Sequence, residues 1–170
     1  MKNLLFENVI SKFAKPYNAK SNATRCRCIL LNKDGDKVAM IKRTKQNEKV
    51  YYVFPSGGVD KEDKSFIDTM YREINEELGL AKEKVSLIED YFIEDMDIFK
   101  NAVKEEHFSY LIFLGNANTN EPLNISSTAP ELSRNNGIYE PTWISLSDIE
   151  KLNIKHNYMQ KVIIEWSFYI

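Results

Sequence analysis

Cysteine is scarce in this chain, with only Cys26 and Cys28 among 170 residues. They alternate along a strand-like run, a spacing that suits neither a CxxC zinc half-site nor a disulfide. The pair therefore reads as two reduced thiols in a cytoplasmic protein. Long apolar runs are missing as well: Leu4, Leu5 and Phe6 are interrupted at once by Glu7 and Asn8, which excludes a signal or membrane-spanning segment and membrane partners. There is no excess of charge of one sign. A formal net charge of −2 offers no field for holding a DNA or RNA polymer, so no nucleic acid partner is expected. Internal repeats and low-complexity tracts are absent too. What remains, 43% hydrophobic and 28% charged residues, is ordinary for one globular domain that buries its core without disulfides. Residues 1–20 are read as an N-terminal extension packing on a single domain, 21–170. In Lys2–Tyr17 the helical spacing of Leu5, Val9 and Phe13 would pack either on this domain or on a second copy, as a homodimer.

Arg25–Leu31 and Lys37–Arg43 are apolar-rich runs joined by Asn-Lys-Asp-Gly-Asp at 32–36, a hairpin signal. Val50–Pro55 reads as a third strand delivering the chain into a Gly57-Gly58 turn, with further strands at Val85–Ile93 and His107–Leu114. Asn116–Asn136, punctuated by Pro122 and Pro130, reads as a loop reaching over the site. A short strand at Glu140–Leu146, a short helix from Ser147 and a final helix over Tyr158–Tyr169 complete the elements. On composition and pattern this is a mixed α and β domain.

The chemistry is concentrated in one helix. It starts near Asp63 or Ser65, where Ser65 and Asp68 resemble a capping box, and Gly79 supplies a left-handed cap at its end. Phe66, Met70, Ile74 and Leu78 or Thr69 form its inner face. Glu73, Glu76 and Glu77 stand at i, i+3 and i+4 and so project from one face. Each like-charged pair costs about 0.2–0.5 kcal/mol, a repulsion that a hard divalent cation bound through oxygens would relieve. The weaker reading is a solvated acidic face.

Arg72, Glu73, Ile74, Glu76, Glu77, Gly79 and Leu80 match the second half of the Nudix hydrolase signature, REUxEExGU with U aliphatic, and on these residues the chain resembles that family. The first half departs. Counted from Gly58, the family's acidic position falls on Lys64; counted from Gly57 it falls on Asp63, with a longer spacer before Arg72. The resemblance implies a Nudix-type α/β/α sandwich around a mixed sheet. It also implies Mg²⁺-dependent (or Mn²⁺-dependent) cleavage, by water, of the diphosphate linkage in a nucleoside triphosphate, ADP-ribose or a similar small nucleotide. Glu73 and Glu77 would be the principal metal ligands, Glu76 the third, and a carbonyl at Gly57 a further one. Gly57 and Gly58 would admit phosphate close to the backbone, Asp63 would lend support at the substrate, and Arg72 would orient the carboxylates. In the family the general base is a box glutamate or one from a later loop; Glu105, Glu106 and Glu131 are candidates, with Glu131 first. His107 and Trp143 read as packing. Tyr51, Tyr52 and Phe54 read as core that could otherwise stack a base. Arg43 and Lys42 either meet substrate phosphates or are plain strand-end charges. Two other readings share the fold: a nucleotide-sensing module without turnover, and a prenyl diphosphate isomerase. The isomerase would need Cys26 or Cys28 as a reactive thiol, activated by Arg25 and Arg27.

Overall fold

The computed structural model describes residues 14–17, 21–100, 102–127, 129–130, 137–155, 159–160 and 163–164, with backbone alone at 95–100 and 106–108. Among them, nine strands form one mixed sheet: β1 (Lys15–Pro16), β2 (Arg25–Leu31), β3 (Lys37–Thr44), β4 (Tyr51–Val53), β5 (Ser56–Gly58), β6 (Val85–Leu87), β7 (Tyr91–Lys100), β8 (Glu105–Ala117) and β9 (Ile138–Ser145). The main order is β1-β7-β8-β2-β3-β4, with β5 on β2, β6 on β8 and β9 on β3. Only β2 and β8 run parallel, from Arg25 opposite Tyr110 to Leu31 opposite Asn116.

The alternation of β2 explains the layers. Cys26, Cys28 and Leu30 face one way, into a core they share with Met70, Ile74 and Leu78 of helix α1 (Phe66–Leu78). Ile29 and Leu31 face the other, into a second core with Ile149, Ile154, Met159 and Ile163. Every strand residue from Cys26 to Leu31 is buried because both faces of the sheet are covered. This is the expected sandwich.

The β2–β3 hairpin is closed by Asn32, whose Oδ1 accepts from the backbone N–H of Asp36 and Lys37 and whose Nδ2 donates to Asp36 at 2.8 Å. Gly35 at φ 73° takes the one conformation there that other residues resist. Helix α1 is capped as anticipated: the Ser65 hydroxyl accepts from Asp68 N–H, and Gly79 is left-handed at φ 70°.

Several boundaries differ from those read in the sequence. Gly57-Gly58 is not a turn but strand β5, with Gly57 opposite Cys26 and Gly58 opposite Arg25. Val85–Ile93 is two strands, β6 and the start of β7, because both pair with successive parts of the long β8. The helix read from Ser147 is a 3₁₀ segment, Leu146–Lys151. Lys15 and Pro16, at the end of the segment in which Leu5, Val9 and Phe13 have helical spacing, are strand β1, held by Phe92 and Tyr91. The rest of the N-terminal segment, residues 1–13, lies outside the described residues. In the expected C-terminal helix, Met159, Gln160, Ile163 and Ile164 are helical. No helix among the described residues is long and apolar enough to cross a membrane.

Candidate active site

Helix α1 and β5 meet side on, and the residues between them form the site. Glycine makes the approach possible. A Cβ on Gly57 would overlap the carboxylate of Glu73 and lie 2.6 Å from its Cγ, so only glycine leaves room for that side chain. Next to it, Ser56 N–H donates to Glu77 Oε1 at 3.0 Å. Both glutamates are 7% exposed, and the helix thus presents two buried carboxylates to one short strand.

Arg72 organises the rest. Its Nε and Nη2 donate to Asp63, the latter at 2.9 Å; Nη1 donates to Glu73 at 2.9 Å and more loosely to Glu76 at 3.4–3.5 Å; Nη2 also donates to the carbonyl of Gly58 at 3.0 Å. One planar guanidinium therefore fixes three carboxylates and a backbone carbonyl. Its hydrogen bond to Asp63 holds its own pKa above the usual arginine range. Asp63 is fixed further by Asp60 N–H and the Thr69 hydroxyl. The Arg72 bond is the main reason its carboxyl drops from 3.8 to about 2. Asp63 was read as a group at the substrate. Its carboxylate turns to Arg72, and the extra residue before Arg72 is absorbed in the loop at 59–65.

Beside them is a cavity of about 290 Å³ lined by Arg25, Gly57 and Gly58 on the strand side, Arg72, Glu73 and Glu76 on the helix side, and Pro130 from the long loop. The loop is hung from the helix end: Ser126 N–H donates to Glu76 O and Asn124 N–H to Leu78 O, satisfying carbonyls the last turn leaves open. Arg43, read as either a phosphate contact or a plain strand-end charge, is not part of the lining. It is 7% exposed and its guanidinium lies 3.5 Å from the centroid of the Tyr139 ring on the neighbouring β9, because strand pairing sets Arg43 opposite Tyr139. The arginine that lines the cavity from the strand side is Arg25. Two arginines alternating with cysteines in an otherwise apolar strand were the available signal. Glu131 and the side chain of Glu106 lie outside the described residues. Glu105 is exposed at the far end of β8, paired with Lys100. Trp143 is packing, its Nε1 donating to Glu121 O.

The donor set suits a hard divalent cation: carboxylate oxygens from Glu73, Glu76 and Glu77 beside the glycine backbone. Among the described residues no three acidic, histidine or cysteine side chains already converge as a ligand cage. Arg72 Nη1 stands between Glu73 and Glu76, and Glu76, its loosest partner, is the side chain that would turn to complete one. The cysteines do not supply a nucleophile. Both are fully buried, and burial pushes the Cys26 thiol up to about 12, outweighing the opposing pull of Arg72 and Arg25. That removes the reactive thiol an isomerase would need.

The family model described as the NUDIX domain matches residues 22–166. The chain belongs to the Nudix family. An RNA pyrophosphohydrolase from Ruthia magnifica subsp. Calyptogena magnifica is 37% identical over 60 residues, which is 35% of this chain and 31% of that protein. This chain thus aligns with about a third of the curated relative's length. Among solved structures, the NUDIX domain of Shewanella oneidensis NrtR, complexed with ADP ribose, superposes with a TM-score of 0.60 at 13% identity, covering 96% of each chain. The C. elegans Ap4A hydrolase binary complex gives 0.56 at 16% identity, covering 86% of this Nudix chain and 96% of the other. At these identities the likeness is one of fold, and it agrees with the layered sheet described above.

Proposed function

We propose that this Nudix protein is a divalent-cation-dependent hydrolase that cleaves the diphosphate linkage of a nucleoside diphosphate derivative. The observation carrying the proposal is the gathering of Asp63, Glu73 and Glu76 by Arg72 against the Gly57-Gly58 strand, at the wall of an open cavity. Glu73, Glu76 and Glu77 would hold Mg²⁺ or Mn²⁺. When bound, such an ion withdraws charge from diphosphate oxygens and acidifies a coordinated water. The chain's own residues supply the rest. Arg72 orients Glu73 through its 2.9 Å contact, Gly57 and Gly58 let the substrate reach the backbone, and Pro130 lines the cavity from the loop side. A cavity of about 290 Å³ suits a diphosphate better than a whole nucleotide, so the nucleoside would project past its mouth. The relatives' names point to unlike substrates: RNA ends, ADP ribose and Ap4A. With such unlike names, the proposal stops at the reaction class.

The test is product release across nucleoside triphosphates, ADP-ribose, dinucleoside polyphosphates and 5′-triphosphorylated oligonucleotides, with Mg²⁺, Mn²⁺ or EDTA, beside folded Glu76→Gln/Glu77→Gln protein. Turnover that disappears with EDTA and falls at least about 100-fold in the double variant is expected. Turnover untouched by either treatment, or none with any substrate while nucleotides still bind, would sink the hydrolase reading; the latter leaves a sensing module.

A further inference from the structure

We propose that Arg25 is the phosphate clamp of this site, its guanidinium taking the non-bridging oxygens of the diphosphate on the strand side, across Gly57-Gly58 from the helical carboxylates. The proposal rests on the hydrolase reading for its substrate class, while the geometry behind it is independent of turnover.

Successive residues of a strand point to opposite faces, and the two glycines of β5 use both. On one face the missing Cβ of Gly57 admits Glu73. On the other, a Cβ on Gly58 would stand 3.5 Å from Arg25 Nη1, so the guanidinium lies along bare backbone. Two guanidiniums therefore reach the cavity, and they differ in what they have left to give. Arg72 donates to Asp63, Glu73, Glu76 and Gly58 O. Arg25 makes no ion pair with the described residues, its Nε is buried without a hydrogen-bond partner, and its nearest aromatic contact, the Tyr110 ring, is 5.9 Å away at the centroid. Buried donors are rarely left without an acceptor, and those that are call for an explanation such as a ligand.

Charge points the same way. A diphosphate entering beside Glu73 and Glu76 is repelled by them, and Arg72 is already neutralised by its own carboxylates. Among the described residues, Arg25 is the cavity-lining cation that pairs with no carboxylate. Its backbone is held on both edges, opposite Gly58 in β5 and opposite Tyr110 in β8, so it stands on the rigid centre of the sheet, where a positioning group is most accurate. A planar fork also matches two phosphate oxygens at once, which lysine's single ammonium does not.

Arg25→Gln and Arg25→Lys are compared with wild type and with Lys61→Gln, which removes one exposed charge outside the cavity. Calorimetry measures binding of inorganic pyrophosphate, ADP and adenosine in Mg²⁺, steady-state kinetics measure KM and kcat on the substrate found above, and urea unfolding checks the fold. Arg25→Gln should weaken pyrophosphate and ADP, and raise KM, by about 10- to 100-fold. Adenosine binding should not change, kcat should stay within about threefold, and Arg25→Lys should recover part of the loss. Loss of ADP binding with pyrophosphate untouched would assign Arg25 to the nucleoside and overturn the clamp. So would unchanged affinities, a fall in kcat alone, or an equal loss in Lys61→Gln. If Arg25→Gln does not fold, the Arg25→Lys comparison decides alone. Wild type that binds pyrophosphate through Arg25 yet hydrolyses nothing sinks the hydrolase reading and keeps the clamp; wild-type turnover with an indifferent Arg25→Gln does the reverse.

Discussion

Replacing Gly57 by alanine adds one methyl group, and its consequence can be worked from the packing. Gly57 is not in the left-handed region, so backbone strain plays no part and the whole effect is space. The new Cβ overlaps the Glu73 carboxylate. The helix cannot withdraw easily, because Met70, Ile74 and Leu78 are buried to within 1% against the sheet. If the helix does move, overpacking costs about 1–3 kcal/mol. If Glu73 swings out instead, it loses its 2.9 Å bond to Arg72, a charge-assisted contact worth about 1.5–3 kcal/mol. Restricting the unfolded chain returns about 0.4–1 kcal/mol, leaving a net loss of roughly 1–2 kcal/mol. Displacing the carboxylate by an ångström should lower turnover by at least about 100-fold. Gly58→Ala is the matched control for stability. Its Cβ meets only the tip of Arg25 at ordinary contact distance, so it should be neutral or slightly stabilising. Urea denaturation followed by tryptophan fluorescence, with turnover alongside, measures both. Gly57→Ala protein as stable as Gly58→Ala, or as active as wild type, would refute the claim that Glu73 occupies the space beside Gly57.

Asp63 should leave a mark on acid stability. Its folded pKa of about 2 lies below the ordinary 3.8. Its contribution, about 2 kcal/mol, is therefore complete above the unfolded value and disappears as pH falls from 3.8 toward 2. Unfolding curves of wild type and Asp63→Asn should converge over that window, and a constant gap down to pH 2 would contradict the assignment. Arg72→Lys keeps the charge but cannot span Asp63, Glu73 and Gly58 O together, so kcat should drop about 10- to 100-fold; near-normal kcat would mean the fork is dispensable. Native Cys26 and Cys28 should resist a thiol reagent at neutral pH and react only on unfolding, with activity kept. Prompt labelling that abolishes activity would reopen a role for a thiol.

Local patterns carried the helix. The Ser65 cap, the Gly79 terminus, the Met70-Ile74-Leu78 face and the carboxylates at one-turn spacing all depend on residues within a few positions of each other, and they emerged as read. The Asn32–Asp36 hairpin is local in the same sense. Strand ends were less legible. The length of β8, the break between β6 and β7 and the strand at Gly57-Gly58 depend on which distant segment donates the ladder of hydrogen bonds, and glycine alone suggested a turn.

The same division runs through the site. Sequence by itself determined the family, the acidic helix and the arginine that precedes it, because the 3.6-residue period fixes how those side chains share a face. Tertiary structure decided which charges meet. It turned Asp63 toward Arg72 across the loop, buried Arg43 against Tyr139 through the β3–β9 register, and brought Arg25 to the cavity by pairing it with Gly58. Charges distant in the chain become neighbours only through the register of the sheet, and register is set by long-range pairing that no local spacing records.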